Sequence, residues 1–224
     1  MTSLPHALLF DLDGTLADSV TLILSAFRHA FTTHFGAAPP DAEWIAGMGT
    51  PLETQMRALV DDDATAATLV ASYREWQHAH HDELLREYAG VRDTLALLRG
   101  RGHAMAVVTS KGNQAAQRAL DRLQLAEFID VLIGQDSTTR HKPDPEPVLL
   151  ALQELGRDAD DALFVGDSPH DILAGNAAGV FTVGALWGPF PRGELERAAP
   201  RRLIAEMRAL VPLLAELDPA ALPR

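Results

Sequence analysis

The chain has 224 residues, and its 31 acidic against 19 basic side chains give it a net charge of −12. An acidic chain repels phosphate backbones, which argues against nucleic-acid binding, and the absence of cysteine excludes disulfides, thiolate metal sites and a cysteine nucleophile. The hydrophobic share of 47% suffices for a buried core. No apolar run is long enough to span a bilayer and the N-terminus does not resemble a signal peptide, so we expect a soluble cytoplasmic protein with no membrane partner.

Five short apolar runs predict strands that are buried on both faces. They lie at residues 7–10, 104–108, 131–133, 162–165 and 180–183. Such runs lack the alternation of half-exposed strands and are typical of parallel sheets. Helical patterns lie at residues 91–98, 113–123, 145–155, 171–178 and 206–217. Strand and helix alternate from about residue 91 onward, which predicts an α/β fold with a parallel sheet.

Residues 17–88 break this alternation, because they show helical periodicity and no clear strand. Leu24, Phe27, Phe31 and Phe35 share one helical face, and turn signals separate several helices. We expect a helical insert directly after the first strand, with the phenylalanines, Trp44 and Trp76 in its core.

Polar side chains follow the predicted strands, where ligands of parallel sheets bind. These are Asp11 and Asp13, Thr109 and Ser110, and Asp167 and Asp171, with Lys142 in a proline-rich loop. Carboxylates that meet at one edge repel one another, and Mg²⁺ relieves that repulsion while binding phosphate oxygens. A lysine and a hydroxyl beside them suit a phosphoryl group. Asp167 and Asp171 also fit a helix cap, with or without a metal.

These motifs resemble those of the haloacid dehalogenase (HAD) superfamily. The four segments, in the family's order, are residues 11–15 (DLDGT), 107–110 (VVTS), 142–145 (KPDP) and 166–171 (GDSPHD). Four matches with fitting strand contexts are far more specific than one. The resemblance implies a Rossmann-like parallel sheet core, residues 1–16 and 89–224, with a small α-helical cap, residues 17–88, inserted after the first strand.

The resemblance also implies roles for the matching residues. Asp11 would be the nucleophile that forms an aspartyl-phosphate, and Asp13 the general acid and base. Thr109 and Lys142 would bind the phosphoryl oxygens and stabilise transition-state charge. Ser110 and Gly14 would complete phosphate binding, Gly14 by allowing a tight turn.

The metal would be Mg²⁺, the one cofactor implied. Its ligands would be Asp11, the main-chain carbonyl of Asp13 and Asp167, with Asp171 close by. Asp13 favours hydrolysis of phosphate esters or anhydrides over dehalogenation, since a halide leaving group needs no proton. Relatives in the family that hydrolyse phosphonates place a Schiff-base lysine in the cap, and the insert of this chain has no lysine, so the resemblance argues against that activity.

The substrate is expected to be a small phosphorylated metabolite. Residues 13–19, 109–111 and 142–147 resemble the phosphoglycolate phosphatases, so 2-phosphoglycolate is the first substrate expected. Residues 73–88 resemble relatives that hydrolyse inorganic pyrophosphate, which is the alternative. Thr50, Arg57, His81 and Lys111 are the predicted specificity residues.

Several alternatives stay open. A phospho-receiver module also uses an acidic pocket, a threonine or serine and a lysine, but it is shorter and lacks an insert. A sugar-phosphate mutase would share the same core. His78, His80 and His81 fit either a metal site or a solvated cluster, and Trp187 fits a cover over the sheet edge.

The two lysines of the chain both lie beside motif residues, whereas arginine supplies the other 17 basic side chains. A compact ammonium suits a crowded phosphoryl pocket better than a planar guanidinium does. We therefore expect Lys142 to be catalytic and Lys111 to neighbour the pocket.

Overall fold

The computed structural model describes residues 7–217. The helices and strands, in chain order, are β1 (Ala7–Phe10), β2 (Ala17–Asp18), α1 (Val20–Phe35), α2 (Asp41–Gly47), α3 (Leu52–Arg57), α4 (Asp63–Leu84), β3 (Arg86–Glu87), α5 (Val91–Gly100), β4 (Ala104–Val108), α6 (Asn113–Arg122), β5 (Val131–Ile133), α7 (Glu146–Leu155), β6 (Ala162–Gly166), α8 (Pro169–Ala178), β7 (Phe181–Ala185), α9 (Arg192–Arg197), β8 (Arg202–Ile204) and α10 (Leu210–Leu217).

One parallel sheet of six strands forms the core, in the order β5-β4-β1-β6-β7-β8. Strand β1 is central: Phe10 lies beside Val107 of β4 and Val165 of β6. The carboxyl ends of these three strands therefore meet at one edge, and the segments that follow them deliver their side chains to the same place.

The central strand is apolar throughout because helices cover both of its faces. Leu8 and Phe10 pack in one cluster with side chains of α5 and α6, whereas Ala7 and Leu9 pack in another with side chains of α7 and α8. All four residues of β1 are fully buried. Complete burial on both faces explains the absence of alternation in the sequence.

Helices α1 to α4 form the insert between β2 and β3. These two strands pair antiparallel, Ala17 with Glu87 and Asp18 with Arg86, so the chain leaves and re-enters the core through one short ribbon. The sequence predicts no strand in this stretch, and that prediction is wrong because two-residue strands carry no readable pattern. We propose that the insert and this ribbon act as the cap and its hinge.

Aromatic side chains hold the insert together. Phe27 stacks on Trp44 with ring centroids 4.7 Å apart, and Trp44 lies 5.7 Å from Tyr73. The sequence predicts Phe35 in this core, but the residue is 55% exposed. It is the last residue of α1, where the helix runs past the buried part of its face.

Two differences from the predicted elements lie near the C-terminus. Strand β8 is an edge strand with an exposed first residue, Arg202, so it offers no apolar run. The helix predicted at 206–217 is divided into a 3₁₀ turn, Met207–Ala209, and α10, in which Pro212 falls within the first turn. Proline is tolerated there because that N–H has no helical partner. No helix among residues 7–217 combines the length and apolarity needed to cross a membrane.

Candidate active site

The ends of three neighbouring strands build the site. Asp11 follows β1 directly and its N–H donates to the Val165 carbonyl at 2.9 Å, which continues the sheet by one residue. Thr109 follows β4 in the same way, with its N–H 2.9 Å from the Ile133 carbonyl. Asp167 follows β6 and is buried. The sheet thus fixes the backbone of Asp11 and Thr109, and it positions Asp167 through the strand residue before it, Gly166.

Gly14 provides the turn after Asp13. Its φ of +89° lies in the left-handed region, and a Cβ at this position would overlap the Asp167 carboxylate. The resemblance predicts that Gly14 lies beside the bound phosphate. In the structure Gly14 packs directly against the Asp167 carboxylate. A glycine here lets the first loop approach the carboxylate that follows β6.

Three buried carboxylates converge at this edge. One oxygen each from Asp11, Asp167 and Asp171 lies within 4.8 Å of the others, a spacing that could hold a metal ion. Burial and the negative charge of Asp171 raise the pKa of Asp11 to about 7, although Lys142 opposes this. Burial and the charges of Asp11 and Asp171 likewise raise the pKa of Asp167 well above its usual range. The cluster has more negative charge than its protein partners neutralise.

Because burial and repulsion raise the pKa of Asp11, we predict that the folding stability of the metal-free protein depends on pH. The folded-state pKa of Asp11, about 7, lies above its ordinary value of 3.8, so the folded protein binds this proton more tightly than the unfolded chain does. The stability from protonated Asp11 is complete below about pH 4 and is lost as pH rises to about 7. In a chelator, denaturant titrations should therefore show the free energy of unfolding falling more steeply over this range in the wild type than in Asp11→Asn. Parallel curves would contradict the prediction.

Lys142 contacts two members of the cluster at once. Its Nζ is 2.9 Å from Oδ1 of Asp11, 2.6 Å from Oδ1 of Asp171 and 3.1 Å from the Val108 carbonyl. Its side chain is 1% exposed. The two carboxylates raise its pKa against the effect of burial, so the ammonium stays charged. The sequence prediction that Lys142 joins the carboxylates agrees with this placement.

Asp171 is held in place by a helix cap. Its Oδ2 accepts from the hydroxyl and the N–H of Ser168 at 2.6 and 3.0 Å, and its own N–H lies 3.2 Å from the Ser168 hydroxyl. These bonds form a capping box at the start of α8. The structure thus agrees with the capping interpretation of Asp171. Both of its carboxylate oxygens have protein partners, Oδ2 in the cap and Oδ1 at Lys142, so direct metal binding by Asp171 stays a prediction.

Thr15 is a site residue that the sequence analysis missed. Its hydroxyl donates to Oδ1 of Asp167 at 2.7 Å, and its carbonyl accepts from the Trp187 indole at 3.0 Å. Trp187 also contacts the Tyr88 ring edge-on, with centroids 6.5 Å apart. The sequence feature that could have identified Thr15 is its position as the last residue of the first motif, residues 11–15. Trp187, expected as a sheet-edge cover, connects this loop to the end of the insert.

The Asp13 carboxylate forms an ion pair with the second lysine of the chain, Lys111. The Lys111 Nζ lies 2.7 Å from both carboxylate oxygens of Asp13. Burial raises the pKa of Asp13, but the Lys111 ammonium outweighs it and leaves that pKa below its ordinary value. The Asp13 carboxylate is therefore ion-paired with Lys111 and is not part of the three-aspartate group, and the resemblance assigns metal binding to its main-chain carbonyl alone.

A cavity of about 640 Å³ lies between the core and the insert. Its core-side lining includes Asp11, Asp13, Thr109, Ser110, Lys111, Arg118, Asp167 and Ser168, and its insert-side lining includes Trp44, Thr50, Gln55, Tyr73, Arg74, His78 and His81. Ser110, predicted to bind phosphate, donates its hydroxyl to the Gly49 carbonyl of the insert at 2.6 Å. This bond fastens the loop after α2 to the core.

The predicted specificity residues divide into two groups. Thr50, His81 and Lys111 line the cavity. Arg57 does not: it is the last residue of α3, its side chain is exposed, and its Nε donates to Asp63 at 2.9 Å. Arg74 of α4 lines the cavity instead, a residue that the sequence analysis did not select.

The histidines do not form a metal site in this structure. Only His81 is buried, and its Nδ1 lies 2.7 Å from Oδ1 of Asp82. His80 stacks on Trp76 with centroids 4.0 Å apart, and His78 contacts Arg118. Within residues 7–217, the three aspartates are the only group with metal-ligating spacing.

Known proteins resemble this chain along nearly its whole length. Pyrophosphatase PpaX of Bacillus cereus is 35% identical over 213 residues, which are 95% of this chain and 98% of that protein. The structure of a predicted phosphatase from Clostridium acetobutylicum is 25% identical with a TM-score of 0.85, covering 96% of this chain and all of that one. A candidate phosphoglycolate phosphatase from Lactobacillus plantarum is 26% identical with a TM-score of 0.83, covering 95% of this chain and all of that one.

The fold, the carboxylate site and these relatives define a hydrolase that acts on phosphoric ester or anhydride bonds. Residues 8–185 match the model of the haloacid dehalogenase-like hydrolases, and the chain belongs to that family. The predicted α/β fold and family are therefore confirmed. A non-enzymatic phospho-receiver is excluded, since its family is a different one.

Proposed function

We propose that this chain is a Mg²⁺-dependent phosphatase that hydrolyses a small phosphorylated substrate through an aspartyl-phosphate on Asp11. The observation that carries the proposal is the buried cluster of Asp11, Asp167 and Asp171, joined by Lys142 and open to a cavity under the insert. No other arrangement among the described residues brings a nucleophile, a cation and a metal-ligating set together.

Mg²⁺ fits this donor set. The ligating atoms are carboxylate oxygens, which hard divalent cations prefer. Burial and mutual repulsion raise the pKa values of Asp11 and Asp167, and a bound divalent cation would offset both effects. Asp11, Asp167 and the Asp13 carbonyl would hold the ion, with Asp171 behind them. When bound, the ion neutralises charge on the transferring phosphoryl group.

The side chains of the site carry out the phosphoryl and proton transfers. Asp11 attacks phosphorus, and the bond to the leaving oxygen breaks. Lys111 keeps Asp13 ionised in this structure, so Asp13 protonates a leaving oxygen that needs a proton only after taking one up itself, and a phosphate leaving group needs none. Asp13 then takes a proton from the water that attacks the phosphorus of the aspartyl-phosphate, which frees Asp11 and orthophosphate. Lys142 holds Asp11 in position, and Thr109 donates to the phosphoryl oxygens. The insert excludes bulk water from these steps.

Two substrates have support. Pyrophosphate is favoured by the full-length relative that is named a pyrophosphatase, and 2-phosphoglycolate by the motifs and by the Lactobacillus plantarum structure. From the motifs alone 2-phosphoglycolate ranks first; the 35% identical relative moves pyrophosphate ahead. Both substrates keep an anionic group on the leaving side, which suits Lys111 beside Asp13.

A phosphate-release screen with Mg²⁺ tests the function. Pyrophosphate and 2-phosphoglycolate should be hydrolysed faster than sugar monophosphates, with p-nitrophenyl phosphate as a generic substrate. Isomerisation of a sugar phosphate without phosphate release would instead indicate a mutase. No release from any of these compounds would contradict the proposed function.

Metal binding should also be visible without turnover. A ligand at a hundred times its dissociation constant stabilises the folded state by about 2.7 kcal/mol, so saturating Mg²⁺ should raise the melting temperature of the chelator-treated protein by several degrees. Asp167→Asn should lose most of this shift because it removes a buried ligand. An equal shift in both proteins would argue that Mg²⁺ binds elsewhere.

A further inference from the structure

Helices of the core and the insert meet at one end of the cavity. His78 and His81 of α4 and Arg118 of α6 all line it. Oδ1 of Asp82 contacts the His81 Nδ1 at 2.7 Å and the Arg118 Nη2 at 3.1 Å, so one carboxylate of the insert bridges an imidazole and a guanidinium. The pair is thus held in a fixed arrangement across the boundary between the two parts.

His81 has an unused ring nitrogen at this place. The residue is 5% exposed, and its Nε2 is buried with no hydrogen-bond partner among the described residues. A buried polar atom without a protein partner is costly, and beside a cavity a water, an ion or a ligand can satisfy it. Burial lowers the pKa of His81, and the positive charges of Arg118 and Lys111 lower it further against the effect of Asp82. Two cations, Arg118 and Lys111, therefore act on this imidazole in addition to the Asp82 carboxylate.

We propose that His81 and Arg118, with Lys111 beside them, form a subsite for the anionic group that remains on the leaving side of the substrate. This group is a phosphate if the substrate is pyrophosphate and a carboxylate if it is 2-phosphoglycolate. The inference rests on the proposed function and deepens it. Arg118 donates to an oxygen of that group. Because the His81 Nδ1–H donates to Asp82, the His81 Nε2 donates to the anion only when the ring takes up a second proton as the anion binds.

The subsite is complete only when the insert packs against the core, because α4 supplies His81 and α6 supplies Arg118. An anion bound between them would hold the insert closed over Asp11. Substrates with a second anionic group would gain from this contact, and p-nitrophenyl phosphate, which lacks one, would not.

The chain offers matched controls for both residues. Arg122 also lies on α6 and contacts the same insert residue, donating to the Asp82 carbonyl at 2.8 Å, but it does not line the cavity. His80 neighbours His81 on α4 and stacks on Trp76, also outside the lining. Arg122→Ala and His80→Gln therefore disturb the same helices and the same boundary without touching the subsite.

The experiment compares KM and kcat of Arg118→Ala and His81→Gln with those of the two controls. With pyrophosphate or 2-phosphoglycolate, KM should rise by about tenfold to a hundredfold in the subsite variants and by less than about threefold in the controls. With p-nitrophenyl phosphate all four variants should stay within about threefold of the wild type. Arg118→Lys should recover part of the loss, since it keeps the charge. Equal losses on p-nitrophenyl phosphate, or equal losses in the controls, would overturn the subsite.

A binding measurement separates this inference from the proposed function. In the Asp11→Asn background, calorimetry with pyrophosphate and with 2-phosphoglycolate should show a Kd that Arg118→Ala weakens by at least about tenfold and Arg122→Ala leaves nearly unchanged. The ligand that shows the larger difference identifies the anionic group. If the wild type hydrolyses neither compound, the proposed function fails. Unchanged binding in Arg118→Ala overturns the subsite alone.

Discussion

Replacing Asp11 with asparagine should reduce turnover of every substrate by at least about 10⁴-fold, because loss of a covalent nucleophile typically has an effect of this size. The amide has nearly the same size, so it can occupy the end of β1 without repacking. It cannot attack phosphorus, because its nitrogen and oxygen lack the carboxylate's charge. Phosphate release under saturating Mg²⁺ measures the effect.

The fold of this variant should remain intact. The asparagine side chain loses the ion pair with Lys142 but also relieves repulsion from Asp171 and Asp167, whose charges oppose ionisation at this position. In the absence of Mg²⁺ the melting temperature should therefore match or exceed that of the wild type above pH 7. Near-wild-type turnover in a folded Asp11→Asn protein would rule out the nucleophilic role.

Replacing Lys142 should produce the second largest effect. Lys142→Met leaves Asp11 and Asp171 buried without their shared cation, and breaking a buried ion pair from one side typically costs about 3–5 kcal/mol of folding free energy. Turnover should fall by about 10²–10³-fold even where the protein is folded, since a preorganised charge next to the nucleophile is lost. Urea titrations and phosphate release measure the two effects separately.

Lys142→Arg distinguishes charge from shape. The lysine side chain is 1% exposed and its ammonium contacts three oxygens at once, a space into which a planar guanidinium does not fit without displacing a carboxylate. Turnover should therefore stay at least about tenfold below the wild type. Activity close to that of the wild type in Lys142→Arg would show that any cation suffices.

The residues of the carboxylate site could be predicted from sequence because their positions follow from the sheet. Asp11, Thr109 and Asp167 each come directly after a buried run, and parallel neighbours bring their carboxyl ends together. The strand β8 and the β2–β3 ribbon could not be predicted in this way. Their two or three residues gain stability from partners far along the chain rather than from a local pattern.

Contacts within the cavity depend on how the insert packs, which no local pattern records. The Lys111–Asp13 pair joins residues 98 positions apart, and the Thr15–Asp167 bond joins residues 152 apart. Arg57 and Arg74 both lie on insert helices, but Arg74 lies on a helix face that lines the cavity and Arg57 does not. Sequence spacing could predict that each arginine lies on a helix. It could not predict how that helix packs against the core.

The aspartyl-phosphate on Asp11 is the central claim, and acid quenching during turnover tests it most directly. Wild-type protein mixed with Mg²⁺ and pyrophosphate, then quenched on the millisecond scale, should yield a peptide containing Asp11 that carries one added phosphoryl group by mass spectrometry. Asp11→Asn should yield none under the same conditions. A wild-type enzyme that turns over without any such adduct, or an adduct on a different residue, would contradict the account.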